Sequence, residues 1–300
     1  DETIVRTKNI VAQLHQQGFD IELLQRDHRS GYKAGALAAA LPRSKGEFIA
    51  IFDADFIPQP TFLLEVMRYF TDPTIGLVQA RWSHYNREEN LLTSLSSILL
   101  DGHFVLEHTA RHRSGLFFNF NGTAGVWRKQ CIVDSGGWSA DTITEDLDLS
   151  YRAQIQGWRF IYLKDLTVPA EVPNQMRSFQ SQQFRWAKGT MQTAKKLLIP
   201  LWKSKQSLAI KLEGTVHFTS NIAYPLTLLL IILMPIVSSL RLDPSLWFLH
   251  YLMLTAFITT TSSIVFFYAL SQREAKQTVT VWKLILTLAL GIGLSCKQSL

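Results

Sequence analysis

The chain has 300 residues, of which 47% are hydrophobic, and its net charge is +6. This length fits one large domain or two ordinary ones, and the composition is that of a globular protein with an excess of apolar residues, which excludes a disordered chain. The two cysteines, Cys131 and Cys296, lie in different parts of the chain without metal-ligand spacing. Neither a disulfide framework nor a zinc site is therefore indicated, which suits a reducing cytoplasm.

The N-terminal region predicts a helix and then a strand. Residues 4–17 have a helical pattern that Gly18 ends, and residues 19–24 alternate apolar and polar side chains as a strand does. The chain begins without Met and enters this helix with no strand before it, which is unusual for the alternating pattern that follows. It also stops within an apolar segment, so we expect it to be a fragment.

A basic loop leads into the next predicted helix. Residues 26–33 contain Gly31 and end on Lys33, and residues 34–41 predict an alanine-rich helix. A basic, glycine-containing loop at a helix N-terminus can hold an anion, and it can equally be a solvated loop.

Two carboxylates follow the first strongly apolar run. Residues 48–52 are typical of a strand covered on both faces, and Asp53 and Asp55 come directly after it. In an extended backbone residues i and i+2 point to the same side, and ligands of open α/β sheets bind beyond the carboxyl ends of the strands. The pair therefore predicts a site for Mg²⁺ or Mn²⁺, although Asp-x-Asp is also common in turns. A predicted helix at residues 61–70 and a strand at 75–80 continue the alternating pattern.

The middle of the chain predicts a long helix and then a turn. Residues 90–107 have a helical apolar pattern suited to membrane or core, with an interruption at Gly102. The basic tail at residues 111–113 is either a phosphate site or a solvated cluster. Residues 117–125 predict a strand running into a small-residue turn, where the backbone can approach a ligand closely. Three histidines are too loosely spaced to predict a metal site, namely His103, His108 and His112.

An acidic helix start follows at Thr144, Glu145 and Asp146. Thr144 suits the N-cap, both acids lie in the first turn where the helix dipole favours carboxylates, and Gly157 ends the helix. By themselves such acids simply cap a surface helix. Together with the other polar motifs they become a candidate catalytic tip.

A polar helix face follows a further strand. Residues 160–163 predict a buried strand, and Pro173 marks the start of a helix on which Gln182 shares a face with Arg185 and Trp186. Arginine can hold a diphosphate with its forked guanidinium, glutamine can hydrogen-bond, and tryptophan can stack on a sugar ring. The alternative is an arginine stacked on a tryptophan at a membrane-proximal surface.

The last third of the chain predicts membrane spans. Residues 214–240 contain no Lys, Arg, Asp or Glu and are long enough to cross a bilayer, as are residues 244–272. A third apolar stretch, at residues 284–296, is too short by itself and is either a partial span or an interfacial segment. We expect three parts in the chain: a domain at residues 1–190, a basic interfacial segment at 191–213, and transmembrane helices at 214–300, with spans at about 214–240, 245–271 and 279–300.

Basic residues flank these spans on one side. The loop between the first two spans carries only Arg241 beside Asp243, whereas lysines and arginines cluster before the first span and after the second. The domain should therefore face the cytoplasm from a multi-pass membrane protein, with the lipid bilayer as a partner. Because the basic excess is partly this set, no nucleic-acid partner is predicted.

Five motifs occur in order ahead of the apolar spans: Lys33-Ala34-Gly35-Ala36-Leu37, Asp53-Ala54-Asp55, Phe120-Asn121-Gly122-Thr123, Thr144-Glu145-Asp146 and Gln182-x-x-Arg185-Trp186. They resemble the family 2 inverting glycosyltransferases of the processive β-glycan synthase type, which includes cellulose synthases and mannan or glucomannan synthase-like enzymes. The resemblance implies an α/β fold, with a Rossmann-like (GT-A) nucleotide-sugar domain followed by transmembrane α-helices that form a glycan channel.

The resemblance also implies roles on the side of the nucleotide-sugar donor. Asp53 and Asp55 would hold Mg²⁺ or Mn²⁺ and the diphosphate, with Asp55 the more direct ligand, and Lys33 would lie near the nucleotide. Gln182 and Arg185 would contact the diphosphate. A departing nucleoside diphosphate gains negative charge, and a cation and a metal ion placed beforehand stabilise it.

On the side of the glycan acceptor, the resemblance makes Asp146 the general base and Glu145 a support of the helix tip. Inversion requires one carboxylate to accept a proton from the attacking hydroxyl. Trp186 would stack on the acceptor sugar. The acceptor path would be lined by the turn that contains Asn121, Gly122 and Thr123.

The expected function is a membrane-bound hexosyltransferase that moves a hexose from UDP-glucose or GDP-mannose to a growing β-linked polysaccharide, with accessory export or regulatory subunits as further partners. Residues 187–190 are closer to bacterial members of the family, which predicts a bacterial inner membrane. The base-binding aspartates of the family should precede residue 1, so the donor site is expected to be incomplete. Two alternatives stay open: a non-processive transferase to a lipid acceptor, and a catalytically silent membrane subunit that binds nucleotide sugar.

Overall fold

Four strands form one mixed sheet in the computed structural model, which describes residues 2–239 and 247–299. They are β1 (Phe48–Ile51), β2 (Ile75–His84), β3 (Gly125–Arg128) and β4 (Arg159–Ala170), in the order β1-β3-β2-β4. Strand β3 is antiparallel to both β1 and β2, and β2 is parallel to β4. Because β1, β2 and β4 therefore run in one direction, their carboxyl ends meet the amino end of β3 at one edge of the sheet.

Helices surround this sheet. They are α1 (Glu2–Gln16), α2 (Tyr32–Ala40), α3 (Phe62–Met67), α4 (Leu91–Asp101), α5 (His108–Arg113), α6 (Lys129–Asp134), α7 (Glu145–Ile155) and α8 (Met176–Lys203). Short 3₁₀ turns at Leu41–Arg43 and Arg68–Thr71 follow α2 and α3. The predicted helices are confirmed, and Gly18 and Gly157 end two of them with φ of +86° and +100°.

The sheet has an apolar core on each face because successive strand residues point to opposite sides. Leu77 and Trp127 belong to one core, which α6 and α7 cover, whereas Val78 and Val126 belong to the other, which α3 covers. The side chain of Trp127 is fully buried. The fold is thus a mixed sheet with helices on both faces, as predicted.

Two predicted strands are wrong. Residues 19–24 pair with no strand in the described parts of the chain, and Phe19 is 59% exposed, so the segment lacks both a ladder and a buried face. Residues 117–124 are also not a strand. The backbone of Phe118 and Phe120 bonds instead to the side chains of Gln154 and Ser150 on α7. In contrast, β2 and β4 run further than predicted, and Ala50 on β1 is exposed rather than covered.

Gly102 does not break the long helix. It begins a π-helical segment (Gly102–Glu107) that joins α4 to α5. A Cβ atom at this position would lie 2.8 Å from the ring of Phe267 and 2.9 Å from that of Tyr268. The glycine therefore allows the C-terminal helices to pack closely against the domain.

The C-terminal helices are α9 (Leu208–Thr219), α10 (Ala223–Ser239), α11 (Trp247–Glu274) and α12 (Val281–Gln298). Three segments are long and apolar enough to cross a membrane: Leu208–Pro235, Tyr251–Glu274 and Val281–Gln298. The third stretch, predicted to be too short by itself, lies in a helix of 18 residues that includes Lys297 and falls within the span predicted at residues 279–300. Arg241 and Asp243, predicted in the first loop, lie outside the described residues.

Helix α11 is bonded to the domain at its C-terminal end. The buried Asp101 accepts hydrogen bonds from Arg87 Nη1 at 2.6 Å and from Gln272 Nε2 at 3.1 Å. Lys164 on β4 pairs with Glu274 at 2.7 Å. These contacts fix α11 relative to the π-helical segment, which lines part of the site.

Candidate active site

The edge where the strand ends meet opens into a cavity of about 720 Å³. Ten of the eleven residues to which the resemblance gives a role in the site line it: Lys33, Asp53, Asp55, Asn121, Gly122, Glu145, Asp146, Gln182, Arg185 and Trp186. Thr123 does not. It is fully buried, and its hydroxyl accepts a hydrogen bond from the Asp53 amide at 2.8 Å, so it holds the backbone after β1 instead of lining the acceptor path.

Lys33 joins three parts of the site. Its ammonium donates to Asp53 Oδ1 at 2.5 Å and to the carbonyl of Gly122 at 2.9 Å. It thereby ties the start of α2 to the end of β1 and to the turn before β3. Asp53 uses one carboxylate oxygen on this pair, so Asp53 and Asp55 are not equivalent as metal ligands.

Asp55 is the freer carboxylate at the cavity rim. It makes no hydrogen bond or ion pair within residues 2–239 and 247–299, and Glu171 lines the same cavity. The pKa of Tyr85 is raised to about 12 by its hydrogen bond with Glu171, then by burial and by the charges of Glu171 and Asp55. The carboxylates of Asp53 and Asp55 lie beside space for a phosphate. Such a pair suits Mg²⁺ or Mn²⁺, because these ions keep other coordination positions for water and substrate. The described residues contain no group of three or more His, Cys, Asp and Glu side chains placed to hold a metal.

The turn before β3 is held by the fully buried Gln79. Its Nε2 donates to the carbonyls of Thr123 and Ala124, each at 3.1 Å, and its Oε1 accepts from the Asn121 amide at 3.2 Å. Gly122 has φ of +82°, and a Cβ there would lie 3.1 Å from Asp146 Oδ2. Glycine is therefore needed both for the turn and for the close approach of the catalytic candidate.

Asp146 has the electrostatic setting of a proton acceptor. Its pKa is raised to about 7, first by loss of hydration and then by the neighbouring Glu145, while the Leu147 amide at 2.8 Å and the charge of Lys33 lower it less. The pKa of Glu145 is also raised by burial. A carboxylate that titrates near neutral pH can take and release a proton at working pH.

Thr144 precedes α7 as predicted, but its side chain does not cap the helix. Its hydroxyl lies 3.2 Å from that of Thr193 on α8. This contact is possible because Gly189 brings the two helices together: a Cβ on Gly189 would lie 2.4 Å from Thr144 Cγ2. The crossing of α8, not the helix end, determines where this hydroxyl points.

Gln182, Arg185 and Trp186 share one face of α8, as predicted, and that face lines the cavity. Arg185 has no ion-pair partner in the part of the chain that the structure describes, and it does not stack on Trp186 there. Its guanidinium is therefore available to an anionic ligand. The cavity thus combines three sets of groups. They are the Asp146 carboxylate, whose pKa is about 7, the side chains of Arg185 and Gln182, and the carboxylate pair of Asp53 and Asp55.

Comparison with protein families agrees with this arrangement. The model described as "Glycosyltransferase like family 2" matches residues 2–189, and the model described as "Cellulose synthase" matches residues 127–281. The chain belongs to glycosyltransferase family 2. The helices that are long and apolar enough to cross a membrane lie partly within the cellulose synthase match, which extends this glycosyltransferase relationship beyond the sheet.

Relatives of this family 2 glycosyltransferase include two plant proteins. Glucomannan 4-beta-mannosyltransferase 2 of Arabidopsis thaliana is 43% identical over 194 residues, which cover 63% of this chain and 36% of that protein. Glucomannan 4-beta-mannosyltransferase 1 of Cyamopsis tetragonoloba is 44% identical over 186 residues, covering 61% and 35%. The chain thus spans about a third of the length of these relatives. The predicted bacterial source has no support from them.

Two solved structures share the fold. Mannosyltransferase PcManGT from Pyrobaculum calidifontis, in complex with GDP-Man and Mn²⁺, has a TM-score of 0.53 and 18% identity, covering 90% of this chain and 68% of that one. S. aureus TarS 1-349 in complex with UDP-GlcNAc has a TM-score of 0.52 and 11% identity, covering 100% and 78%. They confirm the predicted GT-A type of fold.

The candidate active site also contains residues that were not identified from the sequence. Trp82, His84 and Glu171 line the main cavity. The pKa of His84 is lowered to about 4, mainly by burial, so its ring is neutral. Trp82 and His84 could have been found by extending the strand predicted at residues 75–80, because β2 continues to His84 at the same sheet edge.

A second cavity, of about 260 Å³, adjoins the first. The two share Trp82, Asn121, Asp146 and Trp186 among their lining residues, and His103 and His217 line only the second. His217 lies on α9, so this cavity leads from the catalytic candidate toward the C-terminal apolar helices. The spacing of residues in the sequence did not predict this second cavity.

Gly189→Ala is expected to destabilise the protein by about 1–3 kcal/mol, because the added methyl group would overlap the Thr144 side chain. The displaced α8 should also lower transfer activity about tenfold, since Arg185 and Trp186 lie on the same helix. The measurement is the thermal unfolding midpoint in detergent, together with the transfer rate.

Gly291→Ala is the matched control, because Gly291 also lies in a helix but a Cβ there meets nothing within 4 Å. This change should leave the midpoint unchanged or slightly higher. Equal midpoints for Gly189→Ala and wild type would show that the crossing is not tight. Adding Thr144→Gly to Gly189→Ala should recover part of the loss.

Proposed function

We propose that this protein transfers a mannosyl residue from GDP-mannose to the end of a growing β-linked mannan or glucomannan chain, with inversion at the anomeric carbon. The observation that carries the proposal is Asp146, a carboxylate with a pKa near 7 at the wall of a cavity that also holds Lys33, Asp55 and Arg185. The mannosyl assignment is supported by the names of the plant relatives at 43% and 44% identity.

Asp146 serves as the general base. As the acceptor hydroxyl oxygen attacks the anomeric carbon, Asp146 takes its proton, and the bond between that carbon and the diphosphate oxygen breaks on the opposite face. The base can approach the acceptor closely because Gly122 has no side chain beside Asp146 Oδ2. Glu145 supports the helix tip and helps to raise the pKa of Asp146.

Arg185 and Gln182 bind the diphosphate that leaves. Arg185 has no competing ion-pair partner among the described residues, so its fork can take two phosphate oxygens. Lys33 positions Asp53 and lies beside the nucleotide. Asp55, with the remaining oxygen of Asp53, would hold Mg²⁺ or Mn²⁺, and such an ion when bound neutralises charge that develops on the diphosphate.

The acceptor chain lies on the Trp186 side of the cavity. Trp186, Asn121 and Asp146 line both cavities, and the second one leads to α9 and the membrane spans.

The catalytic domain at residues 1–190 faces the cytoplasm, which the basic residues around the spans support. The helices after the domain provide the exit for the polymer. Helix α8 runs from the domain to Lys203, within the interfacial segment at residues 191–213, so one helix joins the two. Accessory export subunits would meet the membrane part.

The test supplies GDP-mannose and UDP-glucose separately to membranes that carry the protein, followed by linkage analysis of the product. We expect 4-linked mannose in a polymer that an endo-β-mannanase degrades. Membranes with Asp146→Asn are the control for background synthases. A product extracted only into organic solvent would support the lipid-acceptor alternative, and no product with either sugar would contradict the proposal.

A further inference from the structure

Three polar side chains connect the π-helical segment to the turn before β3. His103 Nδ1 lies 3.0 Å from Glu107 Oε2, and His103 Nε2 lies 3.2 Å from Asn121 Nδ2. His103 is at the start of the π-helical segment, a local distortion that is frequent at functional sites. It lines the second cavity together with Asp146.

The Glu107 carboxylate determines which nitrogen of His103 carries the proton. Arg111 lies near both this carboxylate and that of Glu213: its Nη1 is 3.9 Å from Glu107 Oε2, and its Nε is 2.6 Å from Glu213 Oε1. An ionised carboxylate only accepts hydrogen bonds, so His103 Nδ1 donates to it, and in this tautomer Nε2 is an acceptor. That nitrogen is shared by Asn121 Nδ2 and by His108 Nε2, which lies 2.9 Å away.

The acceptor nitrogen of His103 in turn orients the Asn121 amide. With Nδ2 bonded to His103, Asn121 Oδ1 is buried and has no hydrogen-bond partner in the described residues. Two other buried polar atoms at the second cavity also have no hydrogen-bond partner among the described residues: Asn119 Oδ1 and Trp82 Nε1. A buried polar atom without a partner destabilises the protein, so a group of them at one cavity points to a ligand with hydroxyl groups.

We infer that His103, held by Glu107, is a positioning residue for the acceptor: it fixes the Asn121 amide so that Oδ1 accepts a hydrogen bond from a hydroxyl of the acceptor sugar. The same sugar accepts a hydrogen bond from Trp82 Nε1. This inference rests on the proposed function, because it assigns the neighbouring cavity to the glycan acceptor. It adds a residue that acts through Asn121 without touching the reacting atoms.

The test measures mannohexaose binding to the detergent-solubilised protein by tryptophan fluorescence, since Trp82 and Trp186 line the cavities. His103→Leu is expected to raise the Kd for mannohexaose and the acceptor KM about tenfold, the effect of one hydrogen bond, and to leave the KM for GDP-mannose within about twofold. His103→Gln, whose side-chain amide can bond Asn121 in place of Nε2, should stay within about threefold of wild type. The double variant His103→Leu with Asn121→Ala should bind no more weakly than Asn121→Ala alone.

His112→Gln is the matched control, since His112 lies on α5 and lines neither site cavity, and it should bind mannohexaose as wild type does. Thermal midpoints of all variants identify loss of folding. Asn121→Ala, which removes the amide proposed to bond the sugar and should weaken mannohexaose binding by itself, retains the test if His103→Leu unfolds. Equal mannohexaose binding by wild type and His103→Leu would overturn the inference, as would multiplicative losses in the double variant or no binding by wild type. The predicted binding pattern without transfer from GDP-mannose would overturn the proposed function alone.

Discussion

Asp146→Asn is expected to lower the turnover number about 10³-fold, because the amide cannot accept the proton of the attacking hydroxyl. The change should not disturb the fold. The carbonyl oxygen of Asn can still accept the hydrogen bond that Asp146 Oδ1 takes from the Leu147 amide at 2.8 Å. The measurement is the initial rate of mannose transfer at saturating GDP-mannose in membranes with equal amounts of protein.

Glu145→Gln is the matched control for Asp146→Asn, since the two acids are neighbours on the same helix turn and the pKa of each is raised. The turnover number of Glu145→Gln should fall by no more than about tenfold, because Glu145 supports the base and does not itself accept the proton. The wild-type pH profile gives a second check. A base is active only when deprotonated, and the pKa of Asp146 is raised to about 7, so kcat/KM should fall with decreasing pH, about tenfold between pH 6 and pH 5. Near-native turnover by Asp146→Asn would remove the residue from the mechanism.

Chelation of divalent cations is expected to lower transfer by more than about 10²-fold, and added Mn²⁺ or Mg²⁺ should restore it, because the departing diphosphate needs charge compensation. The transfer activity of Asp55→Asn should be harder to restore and should require a higher concentration of Mn²⁺ than that of the wild type. Asp55 has no protein cation beside it in the described residues, whereas Asp53 is paired with Lys33 at 2.5 Å. Electron paramagnetic resonance of Mn²⁺ with GDP present measures binding independently of turnover.

Asp165→Asn is the control for the metal experiment, since Asp165 is an exposed aspartate on β4 that lines neither site cavity. It should bind Mn²⁺ with wild-type affinity and retain wild-type transfer. Full activity after chelation would exclude a metal from the proposed reaction. Wild-type Mn²⁺ binding by Asp55→Asn would instead move the metal away from this carboxylate.

Much of the site could be predicted because its parts are local in sequence. Asp53 and Asp55 follow a strand at the i, i+2 spacing, Glu145 and Asp146 begin a helix, and the polar face of α8 repeats every three to four residues. Such periodicities state which side chains share a face of one element. The order of the motifs then identified the family, and the family implied that these faces meet.

The tertiary structure decided which atoms meet across elements. Lys33 bonds Asp53, 20 residues away, and Gly122, 89 residues away. Thr123 could not be distinguished from its neighbours by sequence, yet it is buried against the Asp53 amide. The hydroxyl of Thr144, predicted to cap a helix, bonds to α8 because Gly189 allows the crossing.

By itself the sequence determined the family, the helical apolar segments and ten of the residues at one cavity. Only the tertiary structure decided that β2 extends to His84 and that His103 reaches Asn121. The physical reason is that apolar periodicity and capping act over a few residues, whereas hydrogen bonds between distant side chains depend on how elements pack. The sequence around a polar side chain does not indicate which distant side chain it will contact.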